Sequence, residues 1–119
     1  MDISQEIAQL KKEEGFKENV GMILVHNGVV RAWSRQDGSV VSKVDVVPDY
    51  DRIEKIRQDF EKSPGIFRIV VQANQGVLEA GDDLLFIVVA GDIRENVKPV
   101  LSDVLDAIKK EAISKTEMG

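Results

Sequence analysis

Leu84-Leu85-Phe86-Ile87-Val88-Val89-Ala90 is an unbroken apolar run, and no other stretch constrains the fold as strongly. A strand with no polar alternation has both faces covered, so this run belongs at the centre of a sheet. Glu79-Ala80-Gly81-Asp82-Asp83 reads as the turn that leads into it.

The surrounding periodicities predict the order α-β-β-α-β-β-α. Ser4 caps a first helix to about Lys12, with Ile7 and Leu10 on one face, and Gly15 ends it. Val20 to Trp33 reads as a strand, and Asp37-Gly38 signals a hairpin turn. Val40 to Val47 is the partner strand, stopped by Pro48-Asp49. A second helix from Asp51 to Lys62 aligns Ile53, Ile56 and Phe60, and Ser63-Pro64-Gly65 closes it. Ile66 to Gln72 is another strand, and Ala73 to Leu78 reads as irregular. The last helix carries Val97, Val100, Leu101, Val104, Leu105 and Ile108 as its stripe. Pro99 is best tolerated in a first turn, which places the regular start near Asn96. Two strand pairs, each near a helix, predict an α+β fold with mainly antiparallel sheet in one domain over residues 1–119.

Composition narrows the chemistry. At 119 residues, with 43% hydrophobic and 31% charged residues, the chain has enough apolar material for one core. Cysteine is absent and His26 is the sole histidine, which excludes disulfides, thiolate or multi-histidine metal sites and a cysteine nucleophile. The polar, acidic start lacks a signal peptide's character, and no apolar run approaches the roughly 20 residues of a membrane-spanning helix. A cytoplasmic protein without a membrane partner is the expectation. A net charge of −5, with basic residues interleaved among acids as in Lys109-Lys110-Glu111, disfavours nucleic acid.

Few residues invite a functional reading. Asp82-Asp83 has the chemistry of a turn. His26, on a strand without an evident partner, reads as structural. Gly21, Gly28 and Gly38 are too dispersed for a nucleotide-binding loop. Arg31 stands at a strand end, where a fixed guanidinium clamps a phosphate or carboxylate, and Arg94 lies just past the central strand. Lys109 and Lys115 fall at the end of the last helix. An unbroken helix would point them roughly 120° apart, so they share a site only if it ends between them. Taken alone, they read as a solvated helix end favoured by the dipole.

The order of short motifs resembles the molybdopterin synthase large (catalytic) subunit family, in a divergent, MoaE-like form. Gly28-Val29-Val30-Arg31 is similar to the family's Gly-x-Val-Arg strand, and Val44-Asp45-Val46-Val47-Pro48 to its acid-containing strand before the second helix. Gly76-Val77-Leu78-Glu79-Ala80-Gly81-Asp82 resembles its Gly-x-Leu-x-x-Gly-Asp/Glu, and Ile108-Lys109 with Lys115 its closing segment. The likeness spans roughly Val20 to Glu117.

The resemblance implies an α/β-hammerhead-like α+β fold that forms a homodimer within a heterotetramer. It implies a ubiquitin-like small subunit whose C-terminal thiocarboxylate enters a pocket that binds a pterin phosphate, cyclic pyranopterin monophosphate. Two sulfur transfers then build the dithiolene of molybdopterin, with no metal or cofactor resident in the large subunit. By position, Lys109 matches the first catalytic lysine, and Lys115 the second once one residue is deleted between them. Arg31 matches a substrate-binding arginine supplied across the dimer interface, and Arg94 the arginine of a His-Arg pair. The chain departs from the pattern at Ala73-Asn74, where the family has its first His-Arg pair, at Ile93, where it has the histidine of the second pair, and within Glu111-Ala112-Ile113-Ser114. The sequence stops at Gly119, ahead of the C-terminal extension that the family pattern carries. Two roles fit the pattern: a sulfur transferase, or a non-catalytic dimeric module that binds a ubiquitin-like small subunit.

Overall fold

The computed structural model describes residues 2–119. The elements run α1 (Ile3–Leu10), α2 (Phe16–Asn19), β1 (Met22–Val29), β2 (Lys43–Pro48), α3 (Tyr50–Glu61) and β3 (Ile66–Ala73). They continue with β4 (Gly76–Glu79), β5 (Asp83–Gly91), α4 (Arg94–Glu111) and β6 (Ile113–Met118). Two antiparallel three-stranded sheets result, in the orders β1-β5-β3 and β4-β2-β6.

The apolar run occupies the central strand β5, and both of its faces are covered. Leu85, Ile87 and Val89 face the core shared with Val44 and Val46 of β2, Ile53 and Ile56 of α3, and the stripe of α4. Phe86, Val88 and Ala90 face Leu10, with Ile3, Val20, Ile23, Phe67 and Val70 packed around them. Every residue from Leu84 to Ala90 is buried. Burying each large side chain contributes about 1.5–3 kcal/mol, which makes this strand the largest local source of stability.

Caps and turns shift several boundaries from those expected. Asp2, and not Ser4, caps α1, its carboxylate accepting from the Gln5 N–H at 3.1 Å. Gly15, with φ of 87°, opens the short α2 instead of ending the first helix. Helix α4 begins at Arg94, ahead of the Asn96 expected, because Asp92 ties down its first turn. The Asp92 carboxylate accepts from the Ile93 N–H at 2.6 Å and from Asn96 Nδ2 at 2.9 Å. Pro99 therefore sits inside the helix, where it leaves the Glu95 carbonyl without its helical donor.

Three larger expectations are corrected. The Asp37-Gly38 turn exists, with Gly38 at φ of 73° and the Ser39 N–H bonded to Asp37 Oδ1 at 2.9 Å. It does not make a hairpin of β1 and β2, which belong to different sheets and are linked there only by the isolated bridge Trp33–Val40. Residues 76–79, expected to be irregular, pair with β2 as β4. Residues 113–118, expected to be helix end and tail, form β6 on the other edge of β2. The order is thus longer than α-β-β-α-β-β-α, although the α+β class and antiparallel pairing hold.

Candidate functional site

The seam between the two sheets holds a cavity of about 260 Å³, lined by His26, Gly28, Val29, Val30, Arg31, Val44, Leu84, Leu85, Lys109, Lys115 and Glu117. Three local devices bring its charged groups together.

The first is the end of α4. Ile108 is fully buried and anchors the last turn, so its neighbour Lys109 projects at the helix edge. The helix stops at Glu111, and the buried Ala112 turns the chain into β6. The Ala112 N–H donates to the Ile108 carbonyl at 2.9 Å, while its own carbonyl accepts from the Asp49 N–H at 2.7 Å. The second device is the β2–β6 register, which sets Lys115 opposite Val46 and Glu117 opposite Val44. Directly paired residues share a sheet face, so both charged side chains take the side on which those valines face the core. The third is the β-bulge between Gly28 and Val29 at the end of β1. After it the Val30 N–H bonds to the Asp82 carbonyl at 2.9 Å, and Arg31 emerges toward β6.

Arg31 Nη2 lies 3.9 Å from Glu117 Oε2, and Arg31 Nε donates to the Trp33 carbonyl at 3.4 Å. Such a long, partly exposed ion pair is weak and leaves the guanidinium available. An adjoining cleft of about 490 Å³, lined by Arg31, Ser34, Arg35, Gln36, Lys115 and Glu117, continues the cavity outward. Together they gather Arg31, Arg35, Lys109 and Lys115 around one carboxylate, Glu117, in a chain of net charge −5. This is a local reversal of charge.

The reversal shows in the proton affinities. Lys115 is held below the usual lysine value by burial first, then by Lys109 and Arg31, with Glu117 opposing. His26 is held below the usual imidazole value by burial and then by the charge on Lys109. An anion placed among these groups would relieve the repulsion, which makes the cavity chemically suited to phosphate or carboxylate.

Lys109, Lys115 and Arg31 thus line one cavity within a single chain. Arg94 does not join them. It stands at the start of α4, its side chain 80% exposed, with Nε 3.2 Å from Glu95 Oε1. Of the positions that depart from the family pattern, Asn74 is tied up structurally, its Nδ2 donating to the Asp83 carbonyl at 2.7 Å, and Ile93 is exposed. The sequence reads His26 as structural and singles out neither Arg35 nor Glu117. The strand alternation that puts His26 and Gly28 on one face was the available signal for the first. Among the described residues, no cluster of His, Asp and Glu is placed to hold a metal ion, and no helix is long and apolar enough to cross a membrane.

Fold and site together define an α+β protein with a cavity lined by basic side chains between two antiparallel sheets. The profile of the MoaE protein family matches residues 1–111, and the chain belongs to that family, the large subunits of molybdopterin synthase. A probable molybdopterin synthase from Haloferax volcanii is 26% identical over 110 residues, which covers 88% of this chain and 42% of that protein. The chain therefore spans less than half the length of this curated relative. The fold is similar to that of molybdopterin synthase from Staphylococcus aureus, with a TM-score of 0.80 at 19% identity over 99% of this chain and 85% of the other. A chain from the complex of subunits 1 and 2 of molybdopterin-converting factor from Helicobacter pylori aligns with a TM-score of 0.69 at 18% identity, covering 98% and 78% respectively.

Proposed function

We propose that the chain is the large subunit of a molybdopterin synthase and acts in molybdenum cofactor biosynthesis. In this reading it transfers sulfur from the C-terminal thiocarboxylate of a ubiquitin-like small subunit to cyclic pyranopterin monophosphate. The observation that carries the reading is the meeting of Lys109 and Lys115, on either side of the helix-to-strand switch at Ala112, in one cavity with Arg31.

Each transfer forms a C–S bond on the substrate in place of a C–O bond, and a water oxygen takes the sulfur's place on the small subunit, turning its thiocarboxylate into a carboxylate; two transfers supply the two dithiolene sulfurs. The cavity's task is to hold anions of both partners in contact. Arg31 and Lys109 bind the phosphate and the carboxyl end of the tail, where charge-assisted hydrogen bonds are strongest once water is expelled. Lys115, with its lowered proton affinity, holds charge that builds up at the reacting carbonyl and exchanges a proton at modest cost. Arg94 lies outside this cavity, so its anion-binding role is assigned toward the cavity of a second copy in a homodimer.

The second reading, a non-catalytic module that binds the small subunit's tail, draws on Ala73 and Ile93, which put no imidazole where the family has one. The two readings separate on one reaction: conversion of cyclic pyranopterin monophosphate with a thiocarboxylated cognate small subunit. The synthase yields dithiolene product, and Lys109→Ala abolishes it. A wild-type protein that binds the small subunit yet makes no product is the binding module.

A further inference from the structure

His26 lines the cavity, and the proposed reaction leaves it unused. Its Nε2 is buried with no hydrogen-bond partner among the described residues, and an atom of this kind left unpaired costs about 1–3 kcal/mol. The nitrogen rests against Gly28, where a methyl group would stand only 3.1 Å from it. A glycine at this position is what gives the ring its place in the wall. The groups around it are of one kind: Lys109, Lys115 and Arg31 donate hydrogen bonds and accept none. Glu117 can accept, but it faces Arg31 at 3.9 Å. The cavity is therefore rich in donors for an anion and poor in acceptors for anything else.

We propose that His26 is the neutral hydrogen-bond acceptor of this cavity, and that it selects ligands carrying an N–H or O–H donor next to their anionic group. This rests on the pterin phosphate reading and deepens it. A bare anion satisfies only the cations, whereas a heterocycle with ring N–H groups also gives Nε2 the partner it lacks. Burial and the neighbouring Lys109 charge keep the imidazole uncharged near neutral pH, so its lone pair stays free to accept. Discrimination of this kind is strong because an analogue lacking the donor leaves a buried polar atom unpaired.

The test uses the full chain and two probes, cyclic pyranopterin monophosphate and inorganic phosphate, with wild type, His26→Phe and His26→Gln. Calorimetry should show His26→Phe losing about tenfold in affinity for the pterin phosphate, with His26→Gln keeping most of it. Inorganic phosphate should bind all three alike. Because His26 is the only histidine, its imidazole nitrogen resonances are unambiguous in wild type, a readout that needs no variant to fold. The pterin phosphate should shift the Nε2 resonance well beyond any shift that inorganic phosphate produces by offsetting the Lys109 charge. Pterin phosphate binding that leaves this resonance unmoved overturns the assignment alone. So does an equal loss for both probes in His26→Phe and His26→Gln, which marks a packing role. A wild type that binds inorganic phosphate but not the pterin phosphate overturns the proposed function as well.

Discussion

Replacing Lys115 with methionine removes an ammonium and keeps an apolar stem of similar length. In the folded chain that ammonium is disfavoured by burial, by Lys109 and by Arg31, with Glu117 opposing. The variant should therefore be more stable than wild type, at the expense of ligand binding. Lys115 lies open to the cleft, so water screens these charges and the gain is limited to about 1 kcal/mol at most. For a chain of this length that is a rise in Tm of roughly 2–5 °C. The sign of its pH dependence follows from linkage. The folded pKa lies below the ordinary 10.5, so the unfolded chain holds the proton more tightly, and wild-type stability rises between the folded pKa and 10.5. The gap between variant and wild type is full at neutral pH and closes as pH approaches 10.5. Phosphate should close it by another route, since at about a hundred times its Kd it stabilises wild type by about 2.7 kcal/mol. Scanning calorimetry at low ionic strength, across pH and with or without phosphate, measures all three effects. A variant that melts below wild type at neutral pH, or a gap indifferent to pH and phosphate, refutes the picture of a cation crowded by cations.

Two further outcomes probe the dimer and the scaffold. If Arg94 serves the cavity of a second copy, Lys109→Ala and Arg94→Ala chains are each inactive, but mixing them restores about a quarter of the sites, because one site of every mixed dimer keeps both residues. Activity that fails to recover on mixing refutes that role. Glu61 joins α3 to β3, its Oε2 accepting from Arg57 Nη1 at 2.6 Å and the Ile69 N–H at 2.9 Å. Glu61→Ala should cost about 1–3 kcal/mol in urea unfolding by leaving that N–H unpaired, and a change under about 0.5 kcal/mol would show that water replaces the carboxylate.

Patterns confined to consecutive residues were legible without a structure. The apolar run of β5 announced a strand covered on both faces, and the stripes of α3 and α4 announced helices, because burial marks every residue of such an element. Acidic composition, the absence of cysteine and the ordered motifs around Arg31, Lys109 and Lys115 narrowed the chemistry. Tertiary structure decided which strands pair. Asp37-Gly38 is a true turn, yet the strands on either side of it enter different sheets, and β4 and β6 exist mainly through their hydrogen bonds to β2. Strands so short and exposed carry little apolar alternation of their own; their partners are distant in sequence and leave no local trace. The same long-range pairing made the site. Only the β2–β6 register turns Lys115 toward Lys109, and only the bulge in β1 aims Arg31 at both. It also made His26, an unremarkable strand residue in sequence, the buried acceptor facing three cations.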